Sequence, residues 1–386
     1  MAIDPQDRLI CTAADDSGTD APHPVSQSIA QTSLFTFDTF EQLSAGLEDE
    51  YRNSVYTRGR NPTVQALEDK LAQLERGEAC KVFASGMAAV SSAILGLAQK
   101  GDHVVFVNQV YGPTLELAEH LTRFGIDFDH VRDGDVEKVE RALKAETRLI
   151  WMESPGTMMF ELLDIAAITD LARARNITTV MDNSWATPVF QKPITMGVDI
   201  VVHSCTKYLG GHSDLVAGAI VASDEILEQI FYRAFLLNGA AVGPFDAWLT
   251  TRGLRTLPIR MEQHEKGALR VARYLDEHAR VLRVYHPSLS ENSALLARQM
   301  SGTSGLFSFE LQDGDYEGIR KLLNNLNIFR LGVSWGGFES LAISPNRGVN
   351  AESLAADGIP QGLVRLSVGQ EDADALIDDL DQALAS

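Results

Sequence analysis

The sequence predicts an α/β fold in which a large domain with a mostly parallel sheet is preceded by an extended N-terminal arm and followed by a smaller C-terminal α/β domain. Short apolar segments alternate with helical patterns through the first part of the chain, as in a sheet covered by helices on both faces. This rhythm changes after about Gly253, and the first 58 residues follow neither pattern. The 386 residues also exceed one ordinary core. We place the domains at residues 1–58, 59–250 and 251–386.

The N-terminal arm, residues 1–58, is polar and irregular. Its later part nevertheless carries apolar side chains that need burial. These are Leu34, Phe35, Phe37, Phe40, Tyr51 and Tyr56. A disordered tail would leave them exposed, whereas an arm that packs on a neighbouring subunit would bury them. We predict such an arm.

A helix opens the large domain. Asn61 is suited to cap its first turn, with Pro62 at the first helical position. Apolar residues then recur at spacings of three and four, which marks one helical face. They are Val64, Leu67, Leu71 and Leu74. Gly77 stands where a helix commonly ends.

Short apolar strand candidates follow, with helices such as Asp164–Arg175 between them. In the large domain the candidates are Lys81–Ala84, His103–Val107, Arg148–Met152, Thr178–Met181, Asp199–Val202 and Ala217–Val221. In the smaller domain we predict strands at Leu306–Leu311 and Leu363–Val368 and helices near Met261–Glu277 and Glu371–Leu384. Ligands of a parallel sheet bind at the carboxyl ends of its strands, so we expect the functional site there.

The net charge of the chain argues against some classes of binding partner. With 33 basic against 53 acidic residues the formal net charge is -20, which opposes a broad nucleic-acid or anionic-membrane surface. The three cysteines are an odd number without a CxxC pair, which favours a reduced compartment. No apolar run has the length of a signal peptide or a transmembrane helix, so we expect a cytoplasmic protein. The nine histidines show no HExxH motif, and we predict no metal site.

The segment Val201–His212 carries the first candidate for chemistry. An apolar strand runs into a polar turn that holds Ser204, Thr206 and Lys207, followed by two glycines. Lysine forms Schiff bases with aldehyde cofactors, and the two hydroxyl groups could donate hydrogen bonds to phosphate oxygens. An ordinary surface lysine after a strand is the alternative.

A carboxylate stands at another predicted strand end. Asp182 could pair with a pyridine nitrogen and keep it protonated, so that the ring withdraws electrons. An Asx turn that closes the strand is the alternative. No single residue of this kind is specific by itself.

Three further positions could complete the site. Gly86 and Met87 begin a helix directly after a strand, where free backbone N–H groups suit a phosphate, although a tight turn without ligand is the alternative. Tyr111 follows another strand and could stack on a planar ring, or pack in the core. Arg365 lies inside an apolar strand and needs an anion, either a substrate carboxylate or an internal one.

These residues lie in stretches that resemble the Cys/Met-metabolism family of pyridoxal-phosphate enzymes, and within it the bacterial cystathionine β-lyases. The resemblance runs from about Tyr56 to the C-terminus. The stretches are YTRGRNPT (56–63), ASGMAA (84–89), ESPG (153–156), MDNSWATP (181–188), HSCTKYLGGHSD (203–214), TRGLRTLPIR (251–260), SGLFSFEL (304–311), SWGGFES (334–340) and VRLSVGQED (364–372).

The resemblance implies an aspartate-aminotransferase-like large domain, which is fold type I of these enzymes, and pyridoxal 5′-phosphate as the cofactor. It implies that Lys207 carries the cofactor as a Schiff base, that Asp182 faces the pyridine nitrogen and that Tyr111 stacks on the ring. These three residues are the predicted catalytic residues. The implied phosphate contacts within the subunit are Gly86, Met87, Ser204 and Thr206.

The resemblance also implies contacts beyond the cofactor ring. Tyr56 and Arg58 would reach into the phosphate site of a neighbouring subunit, with Tyr56 also near the substrate. The active unit would then be at least a dimer, and such proteins are usually homotetramers built from two active dimers. The implied pocket for the substrate carboxylate consists of Ser334, Trp335 and Arg365.

The family contains β-lyases, γ-lyases and γ-synthases on one scaffold, so the fold does not choose between them. Gly156 stands where γ-acting relatives usually carry an asparagine, and Pro113 where methionine γ-lyases typically carry a cysteine. Trp335 lies in a loop that resembles the β-lyase version. The resemblance therefore implies a carbon–sulfur lyase of methionine biosynthesis that converts L-cystathionine to homocysteine, pyruvate and ammonia. Other cysteine S-conjugates could also be substrates.

Two alternatives remain open. The stretch YTRGRNPT looks more like the γ-enzymes, which keeps a cystathionine γ-synthase or γ-lyase as the alternative within the family. An α/β binding protein without activity is the alternative from another class. The products formed from cystathionine distinguish a β-lyase from a γ-enzyme. A bond between the cofactor and Lys207 that borohydride reduces would exclude the binding protein without activity.

Overall fold

The structure is a computed structural model that describes residues 3–14, 24–291, 293–312 and 314–385. Two sheets dominate it. The first sheet has the strand order β1-β7-β6-β5-β4-β2-β3, and its strands are Ala79–Phe83 (β1), His103–Val107 (β2), Asp127–Val131 (β3), Thr147–Glu153 (β4), Thr178–Asp182 (β5), Ile200–Ser204 (β6) and Gly218–Ala222 (β7). The second sheet has the order β10-β11-β12-β9-β8, and its strands are Val281–Tyr285 (β8), Leu306–Leu311 (β9), Arg330–Leu331 (β10), Leu341–Ile343 (β11) and Leu363–Ser367 (β12).

Helices cover both sheets. They are Pro5–Thr12 (α1), Phe40–Glu48 (α2), Pro62–Glu75 (α3), Gly86–Leu97 (α4), Gly112–Leu121 (α5), Val136–Ala142 (α6), Ile165–Arg173 (α7), Thr187–Phe190 (α8), Asp224–Ile230 (α9), Leu236–Asn238 (α10), Pro244–Leu254 (α11), Leu257–Asp276 (α12), Ser293–Gln299 (α13), Tyr316–Asn325 (α14), Ala351–Ala356 (α15) and Ala373–Leu384 (α16). Shorter turns complete the chain, namely 3-10 turns at Thr122–Phe124, Pro193–Met196 and Pro287–Leu289 and a π-helical segment at Phe231–Phe235.

The first sheet is mostly parallel, as the sequence predicts. Strands β2 to β6 run in one direction, β7 is antiparallel to β6, and β1 is antiparallel to β7. Each of the six strand candidates of the large domain overlaps one of these strands. Strand β3 was not predicted, because its sequence, DFDHV, is largely polar. The strand lies at the edge of the sheet, where it is only partly buried.

The apolar core follows from this layering. One cluster of buried side chains lies on each face of the first sheet, and a third lies between the second sheet and the helices that pack on it, including α12 and α16. Helix α3 packs on β1, while α4 packs on β6 and β7 at the edge that carries the candidate site. No helix in the described ranges is long and apolar enough to cross a membrane.

The prediction of an irregular segment over residues 1–58 is wrong at two places, because α1 and α2 form within it. Helix α1 packs against α3 and α12 of its own chain. Its fully buried Asp7 forms ion pairs with Arg76 at 2.9 Å and Lys192 at 2.6 Å, which fix the helix. Residues 15–23 lie outside the described residues, and the contact of the arm with a neighbouring subunit remains a prediction.

Helix α3 begins as predicted, because the Asn61 side chain accepts a hydrogen bond from the Thr63 N–H at 2.9 Å. Its end differs from the prediction. Arg76, not Gly77, adopts the left-handed conformation, with φ of 63°. Glycine is required at position 77 because of packing, since a Cβ atom there would lie 2.3 Å from Cγ1 of Val221 in the neighbouring strand β7.

Candidate active site

The predicted site residues of the large domain lie along one edge of the first sheet. Asp182 and Ser204 are the last residues of β5 and β6, and Lys207 follows in the turn after β6. Gly86 begins the helix that follows β1, and Tyr111 directly precedes the helix that follows β2. Because these strands run in one direction, their carboxyl ends bring the segments together.

The start of α4 forms a cradle beside Ser204. A Cβ atom on Gly86 would lie 3.0 Å from Cβ and Oγ of Ser204, and one on Gly218 would lie 2.2 Å from the Ser85 carbonyl oxygen. Glycine at both places therefore lets the turn approach the sheet. The Ser85 side chain caps the helix, but within the described chain the N–H groups of Gly86 and Met87 meet no acceptor. This helix start can accept a phosphate.

Lys207 ends between the two sheets. Its Nζ donates a hydrogen bond to Ser334 Oγ at 2.5 Å and lies 5.4 Å from the centroid of the Trp335 ring. Burial lowers the pKa of this amine to about 8, with Arg365 acting in the same direction and Asp182 against it. These contacts argue against the alternative of an ordinary surface lysine.

The turn Ser334–Gly336 packs directly on the backbone of the Lys207 segment. Ser334 and Gly336 have φ of 78° and 85°, in the left-handed region. A Cβ atom on Gly336 would lie 2.8 Å from the Tyr208 nitrogen and 3.0 Å from the Lys207 carbonyl carbon, so the position requires glycine. The Trp335 ring packs 5.4 Å from the Tyr208 ring. This packing holds the Ser334 hydroxyl beside the amine.

Arg365 reaches the same space from β12. Its Nη2 lies 3.5 Å from the Ser334 carbonyl oxygen, and burial lowers the pKa of the guanidinium to about 10. No carboxylate of the described residues forms an ion pair with it, which argues against the internal salt bridge. A cation in such a setting favours an anionic ligand.

Two carboxyl groups share the strand ends next to Tyr111. Asp182 accepts a hydrogen bond from the Ser184 N–H at 2.8 Å, so the Asx-type contact considered as the alternative is present as well. Glu153 accepts a hydrogen bond from the Tyr111 N–H at 2.8 Å. Burial raises the pKa of both carboxyl groups, that of Glu153 to about 8 with the help of Asp182. Tyr111 itself is 49% exposed, so it is not a core residue.

Three predicted residues are not brought to the amine of Lys207. Tyr56 and Arg58 are exposed, and the Arg58 guanidinium lies 5.7 Å from the centroid of the Tyr56 ring. Among the described residues neither one bonds to a large-domain site residue. The Thr206 hydroxyl lies near the others but contacts the backbone of Ala217, with its oxygen 3.2 Å from the Ala217 carbonyl oxygen. Their roles remain predictions.

Sequence reasoning missed two residues of the site. Glu153 had a usable signal, because it ends a buried strand at the same edge as Asp182. Arg260 ends the stretch TRGLRTLPIR of the family resemblance, but no local pattern assigns it a role, since it lies in α12, far along the chain. Its buried guanidinium donates to the carbonyl oxygens of Tyr208 at 2.8 Å and Gly253 at 2.9 Å, which anchors the segment after Lys207.

The arrangement fits a phosphorylated pyridine aldehyde. A side chain at Gly86 would crowd Ser204 and one at Gly218 would meet the Ser85 carbonyl oxygen, and the start of α4 offers N–H groups to a phosphate. A partly buried amine with a lowered pKa suits imine formation, and Asp182 lies at the same edge to meet a ring nitrogen. The half-exposed Tyr111 ring is available to stack on the ligand ring.

Comparison with known proteins agrees with this chemistry. The sequence model described as "Cys/Met metabolism PLP-dependent enzyme" matches residues 11–385. The chain is 40% identical to the L-methionine gamma-lyase of Fusobacterium nucleatum subsp. polymorphum, over 92% of each chain. It is 41% identical to the cystathionine beta-lyase of Lactococcus lactis subsp. cremoris, over 93% of this chain and 94% of that protein.

A solved structure gives the same result. The fold matches that of cystathionine gamma synthase from Xanthomonas oryzae pv. oryzae, solved in complex with aminoacrylate and cysteine, with a TM-score of 0.90 and 34% identity. The match covers 98% of this chain and 97% of that chain. The predicted fold and the predicted cofactor are thereby confirmed, while the relatives carry out different reactions. The chain belongs to the Cys/Met metabolism family of pyridoxal-phosphate-dependent enzymes.

Proposed function

We propose that this chain catalyses the β-elimination of L-cystathionine to homocysteine, pyruvate and ammonia, with Lys207 as the residue that carries pyridoxal 5′-phosphate. The observation that carries the proposal is the meeting of Lys207 with the Ser334–Trp335 turn and Arg365 at one point between the sheets. An amine with a lowered pKa beside a guanidinium that forms no ion pair within the described residues suits an amino acid, whose α-proton and carboxylate lie on neighbouring atoms.

The chain's own residues supply binding and proton transfer. Bound pyridoxal phosphate withdraws electrons from the substrate α-carbon. Arg365 holds the substrate carboxylate and thereby orients the Cα–H bond towards Lys207. The substrate amine would replace Lys207 on the cofactor, and the amine of Lys207 freed in this way would accept the α-proton. Asp182 would provide the negative charge that favours a protonated ring nitrogen.

Loss of the leaving group needs a proton at sulfur. The Cβ–S bond breaks with its electrons moving to sulfur, and Lys207 in its protonated form or the Tyr111 hydroxyl donates that proton. The three-carbon enamine that remains hydrolyses to pyruvate and ammonia. Ser334 holds the Lys207 amine between these two transfers, because its Oγ accepts a hydrogen bond from Nζ.

The pocket near Gly156 supports β-elimination over γ-chemistry. A Cβ atom on Gly156 would lie 2.7 Å from Nδ2 of Asn108. That amide is fixed by hydrogen bonds to the carbonyl oxygens of Glu153 at 2.8 Å and Glu161 at 2.9 Å. The site therefore leaves no room at this place for the asparagine that γ-acting relatives usually carry.

The alternative is a cystathionine γ-synthase or γ-lyase. The stretch YTRGRNPT favours this alternative. Sequence identity does not separate the reactions, because the chain is 40% identical to a methionine γ-lyase and 41% identical to a cystathionine β-lyase. Product analysis with purified holoenzyme and L-cystathionine decides. We expect pyruvate and homocysteine in equal amounts. 2-Oxobutyrate and cysteine would contradict the proposal and support a γ-lyase.

Borohydride reduction tests the role of Lys207. Reduction of the holoenzyme should attach the cofactor to the peptide that contains Lys207, as seen by mass spectrometry. Lys207→Ala should remain folded but lose turnover, whereas Lys100→Ala, at an exposed lysine, should retain it. Full elimination activity in Lys207→Ala would contradict the assignment. Other cysteine thioethers then define the substrate range.

We also propose that the active unit is at least a dimer, assembled as a homotetramer. Tyr56 and Arg58 project from the chain without contact to Lys207, as expected of residues that serve a neighbouring subunit. The division of the chain at residues 59 and 251 and the cytoplasmic location likewise remain proposals. Light scattering of the purified protein measures the subunit number, and a monomer with full activity would contradict the assembly.

A further inference from the structure

Glu153 lies next to Asp182 and Tyr111, two of the residues proposed to contact the cofactor. It is the last residue of β4, and its register partner in β5 is Asp182, so the two side chains lie on the same face of the sheet. The segment that leads from β2 into α5 brings Tyr111 to the same place. Only 7% of Glu153 is exposed.

Both carboxyl oxygens of Glu153 have a partner. Oε1 accepts a hydrogen bond from the Tyr111 N–H at 2.8 Å. Oε2 lies 2.9 Å from the Thr157 hydroxyl oxygen, and a hydroxyl group can donate or accept. The Tyr111 side chain makes no cap contact of its own at the start of α5. The Tyr111 carbonyl oxygen accepts from the Thr114 N–H of α5 at 2.9 Å, and Glu153 ties the Tyr111 N–H to the end of β4.

We propose that Glu153 is a positioning residue that ties Tyr111 to the strand end carrying Asp182, so that the stacking ring and the partner of the ring nitrogen keep a fixed spacing. This inference rests on the proposed roles of Tyr111 and Asp182. It assigns Glu153 no contact with substrate.

The charged surroundings indicate which form of Glu153 acts. Asp182 faces it from β5, while Tyr111 and Thr157 offer only hydrogen-bonding groups. Burial and the neighbouring carboxylate raise the pKa of Glu153, which favours the neutral form of the carboxyl group. The Tyr111 N–H donates to Oε1 and the Thr157 hydroxyl donates to Oε2, so both oxygens act as acceptors. Glutamine has nearly the same shape and keeps an acceptor oxygen for the Tyr111 N–H, and the Thr157 hydroxyl can rotate to accept from its amide N–H.

Four variants test the inference on the purified enzyme: Glu153→Ala, Glu153→Gln, Tyr111→Ala and the double alanine variant. Glu161→Ala, at an exposed glutamate of the following connection, is the matched control. Amide hydrogen exchange of the apoenzyme reports on the Tyr111 N–H without cofactor or substrate. Titration of the apoenzyme with pyridoxal phosphate gives its dissociation constant, and visible circular dichroism reports the setting of the bound ring.

We expect Glu153→Ala to speed exchange at Tyr111, to weaken cofactor binding about tenfold and to change the circular dichroism, as for loss of one hydrogen bond to a buried group. Glu153→Gln should restore all three, and the control should match the wild type. In the Tyr111→Ala background, Glu153→Ala should add no further loss of cofactor affinity.

The inference would be overturned by unchanged exchange and affinity in Glu153→Ala, by a Gln variant as impaired as the Ala variant, or by full additivity with Tyr111→Ala. An equal affinity of Tyr111→Ala and wild type would overturn it too. Since none of these measurements uses a substrate, a γ-type product would refute the proposed reaction and leave this inference standing.

Discussion

Replacing Arg365 with leucine should raise the pKa of Lys207 and make its amine less reactive near neutral pH. The structure gives the reason: burial is the main cause of the lowered pKa of Lys207, and the positive charge of Arg365 adds to it. Asp182 acts in the opposite direction. Asp182→Asn should therefore lower the pKa of Lys207 further, so two variants of one site shift it in opposite directions.

The lowered pKa of Lys207 sets the fraction of its amine that is free base in the wild type. At a pKa of about 8, roughly 10% of Lys207 is free base at pH 7, against about 0.03% for an amine at its ordinary value of 10.5. The unprotonated form of Lys207 is thus about 300-fold more abundant than in an unperturbed lysine. In Arg365→Leu this advantage should shrink.

Competitive labelling of the apoenzyme measures this titration directly. A limiting amine-reactive reagent is applied between pH 6 and pH 11 (roughly the range that spans both values), and the modified Lys207 peptide is quantified by mass spectrometry. The peptide with exposed Lys100 corrects for the pH dependence of the reagent. A labelling midpoint of wild-type Lys207 near 10.5, or midpoints that coincide in all three proteins, would refute the reasoning.

The remaining predictions concern packing and assembly. Gly156→Ala should cost about 1–3 kcal/mol of unfolding free energy, because its Cβ meets a fixed amide at 2.7 Å, whereas Gly112→Ala, with no atom within 4 Å of its Cβ, should unfold like the wild type in thermal scans. Equal melting temperatures would contradict this. Gly218→Ala should weaken pyridoxal phosphate binding, because its Cβ would lie 2.2 Å from a carbonyl oxygen of the cradle. Unchanged affinity in a titration would exclude the cradle. Mixing refolded Lys207→Ala and Arg58→Ala subunits should restore about a quarter of the wild-type activity if each dimer site uses both chains. No recovery would speak against a shared site.

Much of the fold was readable because its signals are local. The strand candidates of the large domain and the Asn61 cap depend on runs of a few residues, and each corresponds to an observed element. The elements that the sequence did not predict also have a physical explanation. Strand β3 is a polar edge strand that the sheet stabilises through backbone pairing with β2, and α1 is held by the buried charge of Asp7. Neither stabilising contact lies near its element in the sequence.

The sequence by itself determined which residues end the strands of the parallel sheet, because apolar runs followed by Asp182, Ser204 and Lys207 are properties of adjacent positions. Only the tertiary structure decided what surrounds them. The contact of Lys207 with Ser334 joins residues 127 positions apart, and that of Glu153 with Tyr111 joins residues 42 apart. Such contacts lower one pKa and raise another through burial and neighbouring charge, which arise only when distant segments exclude water together.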